Sequence, residues 1–266
     1  MMDDSAIHLD KTPSLHLPVL YAAWPGMGNV SLNAARFLVE KLEMEPIGSI
    51  ESSDFSAAED IVIRDHIVLP LQIPEFRFYA YQHPGNQGDL LVFLADHQPF
   101  QLQGLGLARL VMRVANRFGV RRVYTGAALM CSISHMESPR VWGVATHREM
   151  LSELKRADIH LLPEGHVSGL NGLLLGVAKR MGFEGVCLLG ELPYYTIGMD
   201  NPKSSLAVLE KLSRLWNIRL DTSDLREASL KKEIEIEEFI RQGENKIFSE
   251  KAVKKGDKGS GSPQYN

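Results

Sequence analysis

The sequence predicts an α/β fold built around a mostly parallel sheet, and the stretch from residue 19 to Leu42 carries that prediction. Residues 19–24 (VLYAAW) form a continuous apolar run without polar alternation, which is typical of a strand covered on both faces. The Gly-rich turn PGMGN follows at 25–29, and apolar side chains then recur at helical spacing as far as Leu42. A strand, a tight turn and an amphipathic helix in direct succession are the repeating unit of α/β sheets.

The turn allows two interpretations. Gly26 and Gly28 permit backbone angles that a Cβ would forbid, and Asn29 is a favourable N-cap whose side chain can accept from the next amides. Free N–H groups at a positive helix end could hold a phosphate or carboxylate; alternatively, the glycines only let the strand turn sharply into a packed helix. The dinucleotide fingerprint is incomplete, because Ser31 stands where Gly or Ala is expected, although Glu51 lies near the distance of a ribose-binding acid. No cofactor is therefore predicted.

The rest of the chain alternates strands and helices. Strands are predicted at 47–51, 60–64, 75–82, 89–95, 121–127, 141–146 and 185–189. Helices are predicted at 101–118, 147–157 and 171–181, from Asn201 onward, and from Thr222 to about Gln242. Segments 60–64 and 75–82 are expected to be neighbouring antiparallel additions, which makes the sheet mixed.

Composition excludes several classes of protein. The chain has 266 residues, of which 44% are hydrophobic and 23% charged, with a formal net charge of −4. Mild acidity argues against nucleic-acid binding, which needs a basic face. No apolar run reaches the ~18 residues of a membrane span, and the acidic start MMDDSAIHLD is unlike a signal peptide, so we expect a cytoplasmic protein. Cys131 and Cys187 lack disulfide-framework and zinc spacing and are expected to be reduced.

A ligand crevice is predicted at one edge of the sheet. If the late strand runs parallel to the first, several strands end along this edge, where open α/β sheets bind ligands. The candidate binding residues are those strand ends together with the turn: Trp24, Gly26, Gly28, Asn29, Asp96, Gly126 and Glu191. Asp96 and Glu191 could form an acid–base pair, but carboxylates at strand ends also cap helices or face water.

The segment LMCSISHMESPR at 129–140 is too polar for the core and too long for a tight turn, so it is predicted to be a functional loop or an interface. Cys131 and His135, spaced C-x-x-x-H, could be a nucleophile and its base. No nucleophile elbow surrounds them, however, and two residues in one loop do not define a dyad. No catalytic residue and no metal site are therefore assigned.

The C-terminal third begins with a strong helix signal. Asn201 stands at the N-cap and Pro202 at the first helical position, and leucines follow on one side. The next helix, capped by Thr222, is highly charged with a sparse apolar stripe, and is either a peripheral element of its own domain or an oligomer contact. From Lys251 onward the chain is rich in Lys, Gly and Ser and is expected to be disordered.

Three segments together resemble a known family: WPGMGN at 24–29, GLNGLLLGVAKRMGFEGVCLLGELPYY at 169–195, and MDNPKSSLAVLEKLSRLWNIRLDTSDL at 199–225. With a weaker match at 126–150, they make most of residues 18–240 similar to the proteasome assembly chaperone 2 family. The resemblance implies a three-layer α/β/α fold with a mostly parallel mixed sheet, of phosphorylase/hydrolase-like or Rossmann-like type, plus C-terminal helices. It also implies a homo-oligomer that binds other proteins, notably proteasome α-subunits, and it brings no catalytic set.

The resemblance divides the chain into an N-terminal extension (1–17), the family domain (18–243) and a flexible tail (244–266). Archaeal relatives and proteasome activators end in a hydrophobic residue, Tyr and any residue, which dock between α-subunits. Here Tyr265 matches but Gln264 does not, and the alternative is a tail without function. A non-enzymatic assembly chaperone is favoured over a small-molecule binder, hydrolase or transferase that uses the crevice, because the resemblance is long and no catalytic motif is complete.

Overall fold

The computed structural model describes residues 4–51, 55, 63–69, 75–85, 87–100 and 103–256, with side chains as far as 242. The strands are β1 (Ile7–Leu9), β2 (Val19–Ala23), β3 (Glu45–Ile50), β4 (Ile63–Arg64), β5 (Ile67–Val68), β6 (Phe76–Tyr81), β7 (Leu90–Ala95), β8 (Arg122–Cys131), β9 (Val141–Ala145), β10 (His160–Leu161) and β11 (Glu184–Pro193). The α-helices are α1 (Val30–Lys41), α2 (Gly104–Arg117), α3 (Leu151–Arg156), α4 (Gly169–Arg180), α5 (Pro202–Trp216) and α6 (Ser223–Gly256).

Within these residues, a nine-stranded sheet has the order β1-β3-β6-β7-β2-β8-β11-β9-β10. Its centre, β7-β2-β8-β11, is parallel throughout. On one side β6, β3 and β1 add in antiparallel fashion, and on the other β9 runs antiparallel to β11 with β10 parallel to β9. The late strand β11 is therefore parallel to the first central strand β2, as the crevice prediction required.

Two cores, one on each face of the sheet, make the fold a three-layer α/β/α sandwich, which confirms the predicted class. Helices α2 and α4 cover one face, over Leu20 and Ala22 of β2 and over Trp24, which follows that strand. Helices α1, α3 and α5, with the start of α6, cover the other face, over Tyr21 and Ala23. Successive residues of a strand point to opposite faces, so a strand buried on both sides needs the continuous apolar run seen at 19–24.

Helix ends follow the local signals in two clear cases. Gly119 lies just beyond α2 with φ +74°, a left-handed conformation that ends a helix without the cost of a Cβ. At the start of α5 the Asn201 side-chain oxygen accepts from the Ser204 amide at 2.8 Å, and Pro202 occupies the first helical position. The predicted N-cap of α5 is confirmed.

Two predictions about elements were wrong. Residues 63–64 pair with residues 67–68 in a separate two-stranded hairpin and not with β6, because β3 and β7 already occupy both edges of β6; residues 60–62 lie outside the described residues. Helix α6 does not stop near Gln242 but continues to Gly256. Residues 244–255 are rich in Glu and Lys, which favour helix, so the helix extends beyond the apolar pattern and includes residues 251–256 of the segment that was expected to be disordered.

Candidate functional site

The Gly-rich turn after β2 packs against the segment that leads into α5. Gly28 is buried with φ +62°, whereas Gly26 is extended at φ −165° and needs no special freedom. A Cβ on Gly28 would lie 2.9 Å from Leu192 Cδ1 and 3.1 Å from Asn201 Cβ. The Gly28 carbonyl also accepts from the Asn201 amide at 2.9 Å. The turn is therefore locked against the chain that enters α5, which favours the packing interpretation for Gly28.

The predicted capping role of Asn29 was wrong. Asn29 is left-handed, with φ 46°, and its side chain makes no cap bond to α1. Its oxygen instead lies 3.4 Å from the Gly26 amide behind it, and its Nδ2 donates to Asp200 Oδ1 at 2.6 Å. A short 3₁₀ turn at Met27–Asn29 precedes the helix and rotates the side chain away from the first free amides. Asn29 thus joins the same contact between the turn and the segment before α5.

A crevice of about 860 Å³ opens at the carboxyl edge of the sheet. It lies between the first turn of α4, the segment at 98–100, the loop after β10, Trp24 just after β2, and residues 127–129 within β8. Trp24 and Gly26 line it, as predicted from the sequence. Gly28, Asn29 and the remaining predicted residues do not line it. The sheet edge that was predicted from the sequence therefore borders a cavity, but most of the residues that line this cavity were not predicted.

Asn171, on the first turn of α4, is the crevice residue that the sequence reasoning missed. It is 4% exposed, and its Oδ1 accepts from the Trp24 amide at 3.3 Å. Gln98 also bridges the two walls, because its Nε2 donates to the Pro25 carbonyl and its Oε1 lies 3.4 Å from the Leu170 amide. The available signal was an Asn inside the apolar run GLNGLLL, where a polar side chain must face a partner or a cavity.

The other predicted strand-end residues lie apart. Asp96 is exposed and pairs with Arg36 of α1 at 3.0 Å. Glu191 is 6% exposed and accepts from the Arg140 amide at 3.0 Å and the Trp142 Nε1 at 2.9 Å. Their strands are separated by β2 and β8, hence by about 14 Å at the usual strand spacing. They are therefore not an acid–base pair.

Neither Gly126 nor Glu191 ends its strand. Strand β8 continues to Cys131 and β11 continues to Pro193, because the two strands pair in register over their whole length. Gly126 is buried below α1, where a Cβ would lie 2.9 Å from Ser31 Oγ. The glycine therefore allows α1 to approach the sheet closely and does not face the crevice.

Cys131 and His135 do not form a nucleophile–base dyad. Partial burial, and secondarily the nearby Glu191 carboxylate, raise the pKa of the Cys131 thiol, which is the opposite of activation. The His135 ring contacts other residues, with Nδ1 2.9 Å from the Tyr195 hydroxyl and Nε2 3.2 Å from Glu237 Oε2. Both ring nitrogens of His135 therefore face other groups.

The loop that contains His135 is pinned to the C-terminal helices. The His135 backbone amide donates to the Tyr195 hydroxyl at 2.7 Å. Lys203 Nζ, on α5, donates to the His135 carbonyl at 2.9 Å. Lys203 also pairs with Glu233 of α6 at 2.5 Å. The loop thus fastens α6 to the body of the protein, and α6 is partly held by charged contacts.

Beside this contact, α6 leaves apolar side chains uncovered. We call this surface the α6 groove; it is a cavity of about 330 Å³ lined by Tyr194, Tyr195, Met199, Ile236, Phe239 and Ile240. Tyr194 and Phe239 are each 59% exposed, and Ile197, which follows in the chain, is 57% exposed. Large apolar side chains grouped in this way are typical of protein interaction sites.

Comparison with known proteins identifies the family. The sequence model of the PAC2 family matches residues 20–240. A protein of Methanocaldococcus jannaschii, the uncharacterised MJ1210, is 30% identical over 242 residues, which are 89% of this chain and 86% of the relative. The chain belongs to the PAC2 family. The predicted resemblance to the proteasome assembly chaperone 2 family is thereby confirmed.

Solved structures share the PAC2 fold. Pyrococcus furiosus PbaB, described as an archaeal proteasome activator, superposes with a TM-score of 0.75 at 24% identity, covering 90% of this chain and 98% of PbaB. Mycobacterium tuberculosis Rv2125, described as a proteasome-assembly chaperone homologue, gives 0.69 at 20% identity over 83% and 94% of the chains. Pyrococcus furiosus PbaA, an archaeal homologue of a proteasome-assembly chaperone, gives 0.67 at 22% over 88% and 97%.

The described part of this PAC2 chain offers little support for a metal site or a membrane-spanning helix. No group of three or more His, Cys, Asp or Glu side chains among its described residues is arranged to hold a metal ion. None of the described helices combines the length and the apolarity that a membrane crossing requires. The α6 groove and the crevice are therefore the surfaces that we consider for function.

Proposed function

We propose that this PAC2 protein is a non-enzymatic, assembly-chaperone-like protein that acts as a homo-oligomer and binds proteasome α-subunits. The family membership and the described roles of PbaA, PbaB and Rv2125 support this choice of partner. The separation of Asp96 from Glu191, and the raised pKa of the Cys131 thiol, favour a binding role over catalysis. The single observation that carries the proposal is the exposed α6 groove.

We propose a second copy of the same chain as the occupant of the α6 groove. The groove is apolar, and Phe239 and Tyr194 are exposed on its two walls, so a copy related by a two-fold axis could insert one aromatic ring into each groove. Large aromatic side chains are the commonest anchors of protein interfaces. A self-complementary contact of this kind would bury side chains that otherwise remain in water.

Replacing Phe239 with aspartate is expected to dissociate the oligomer, because a carboxylate in the apolar contact would lose its water without gaining a partner. Size-exclusion chromatography with light scattering should give a multiple of 29.7 kDa for the wild type and 29.7 kDa for Phe239→Asp. The control is Leu105→Asp, at a side chain that is 41% exposed on α2, away from α6. A wild-type monomer at micromolar concentration, or unchanged assembly of Phe239→Asp, would contradict the proposal.

Removing residues 264–266 is expected to abolish capture of proteasome α-subunits while leaving the oligomer and its melting temperature unchanged. Tyr265 lies outside the described residues; the proposal rests on its match to tails that dock between α-subunits. Lysines at 251, 254, 255 and 258 should steer the tail toward an acidic surface, so capture should weaken as salt rises. Several tails on one oligomer would raise the effective concentration.

The measurement is a pulldown from lysate of the source organism, read by mass spectrometry for α-subunits. A matched variant, Tyr265→Ala, keeps the length and the lysines and removes only the ring. Capture that survives both changes would show that the tail is not the contact, and absence of α-subunits with the intact chain would overturn the choice of partner.

A further inference from the structure

The crevice at the carboxyl edge of the sheet contains hydrogen-bond donors that have no part in the proposed protein assembly. We propose that it binds a small organic carboxylate, a molecule with an apolar body and one carboxylate group, held by the Asn171 side chain and the first turn of α4. The proposal is independent of the α6 groove and of the tail.

The first argument is the orientation of Asn171. Its Oδ1 accepts from the Trp24 amide, which fixes the amide group and turns Nδ2 the other way, toward Gly26 on the crevice wall. A Cβ on Gly26 would lie 3.8 Å from Nδ2, so the glycine leaves this approach open. Nδ2 has no hydrogen-bond partner among the described residues, although the Asn171 residue is only 4% exposed. The side-chain amide of Asn171 lines the crevice, so its two N–H donors are available to an acceptor that a ligand can supply.

The second argument is the helix end beside Asn171. Helix α4 has 12 residues, and Ser168 at its N-cap makes no side-chain bond to the first turn. The crevice is lined by this turn, including Gly169 and Gly172, so the positive end of the helix borders the cavity. Among the residues that the structure describes, the Leu170 amide is the one in this turn with a side-chain acceptor, at the long distance of 3.4 Å from Gln98. The first turn of the helix and the Asn171 side chain therefore both supply donors at the same crevice.

The lining decides which anion fits. Among the described residues, the crevice lining includes His166 but no Asp, Glu, Lys or Arg. Neutral donors suit a single negative charge, whereas recurring phosphate sites add a Lys or Arg to balance two charges. The opposite walls are apolar and include Met27, Leu129 and Leu189. A volume of about 860 Å³ lies within the usual range for small-molecule sites.

The test uses the full-length protein with 3-phenylpropionate as probe and 3-phenylpropionamide as its uncharged match. At neutral pH and millimolar concentration, the acid should shift the amide signals of Gly169 and Gly172, and the side-chain amide signal of Asn171, in ¹⁵N-labelled protein. The uncharged amide should bind at least about tenfold more weakly, because it cannot use the positive helix end as fully.

Two variants locate the site. Asn171→Asp keeps an acceptor for the Trp24 amide but places a negative charge in the crevice, so affinity for the acid should fall at least about tenfold through like-charge repulsion. Asn116→Asp, an exposed position on α2, is the control with the same change in net charge and should bind like the wild type. Leu173→Trp, at a side chain 39% exposed on the crevice wall, should block both probes without disturbing the core.

The outcomes separate clearly. Binding of the acid that is lost in Asn171→Asp and Leu173→Trp but retained in Asn116→Asp supports the proposal. Equal affinity for acid and amide would overturn the carboxylate assignment, and unchanged binding by Leu173→Trp would overturn the location. No signal change with the wild type would overturn both.

Discussion

Replacing Gly28 with alanine is expected to lower the free energy of unfolding by about 2–4 kcal/mol, measured by chemical denaturation. Part of the cost is the left-handed backbone at φ +62°, which a Cβ disfavours. The rest is crowding, because the new Cβ would lie 2.9 Å from Leu192 and 3.1 Å from Asn201. Neither neighbour can move freely, since Leu192 is in the core and Asn201 caps α5.

Gly119→Ala is the matched control for the Gly28 variant. Gly119 has φ +74°, and a Cβ there would meet nothing within 4 Å. Its substitution should therefore cost only the backbone component, about 1–2 kcal/mol. An equal loss in the two variants would show that the packing of the turn against α5 contributes nothing.

Replacing Trp24 with alanine is expected to lower the free energy of unfolding by about 3–5 kcal/mol, since a large side chain is removed from the core. Trp24 is 0% exposed, and its ring lies 5.1 Å from that of Phe93, centroid to centroid. The surrounding sheet and helices cannot collapse fully into the space, so a cavity would remain next to the crevice. Thermal unfolding should show a correspondingly lower melting temperature.

Trp24→Phe separates ring packing from the indole N–H. The Trp24 Nε1 is buried without a hydrogen-bond partner among the described residues, so losing it removes a group that gains nothing from folding. We expect a cost of about 1–2 kcal/mol, well below that of alanine. A loss as large as that of Trp24→Ala would mean that the N–H has a partner in solution.

Local signals predicted the central fold well, because they arise from single segments. The apolar run at 19–24 requires cover on both faces, and the N-cap Asn201 with Pro202 fixes the start of α5 through contacts within one turn. Gly28 was recognised for the same reason. The pairing of 63–64 was missed because the strand edges available to it depend on β3 and β7, which lie far away in the sequence.

The sequence predicted where the candidate site lies but not most of the residues that form it. Parallel strands indicate which edge of the sheet can bind, and Trp24 and Gly26 lie there. Asn171 reaches the same crevice from α4 by accepting from Trp24 across 147 positions of sequence, which no local pattern records. The burial of Glu191 likewise depends on Trp142, a residue of a neighbouring strand.

Both edges of the large sheet are closed by very short strands, three residues in β1 and two in β10. Such edges expose few unpaired backbone groups to a strand from another molecule. Growth of the sheet from chain to chain, the route to fibres, is therefore hindered at either side. This arrangement favours contacts between molecules through side chains on the helices over contacts through the edges of this sheet.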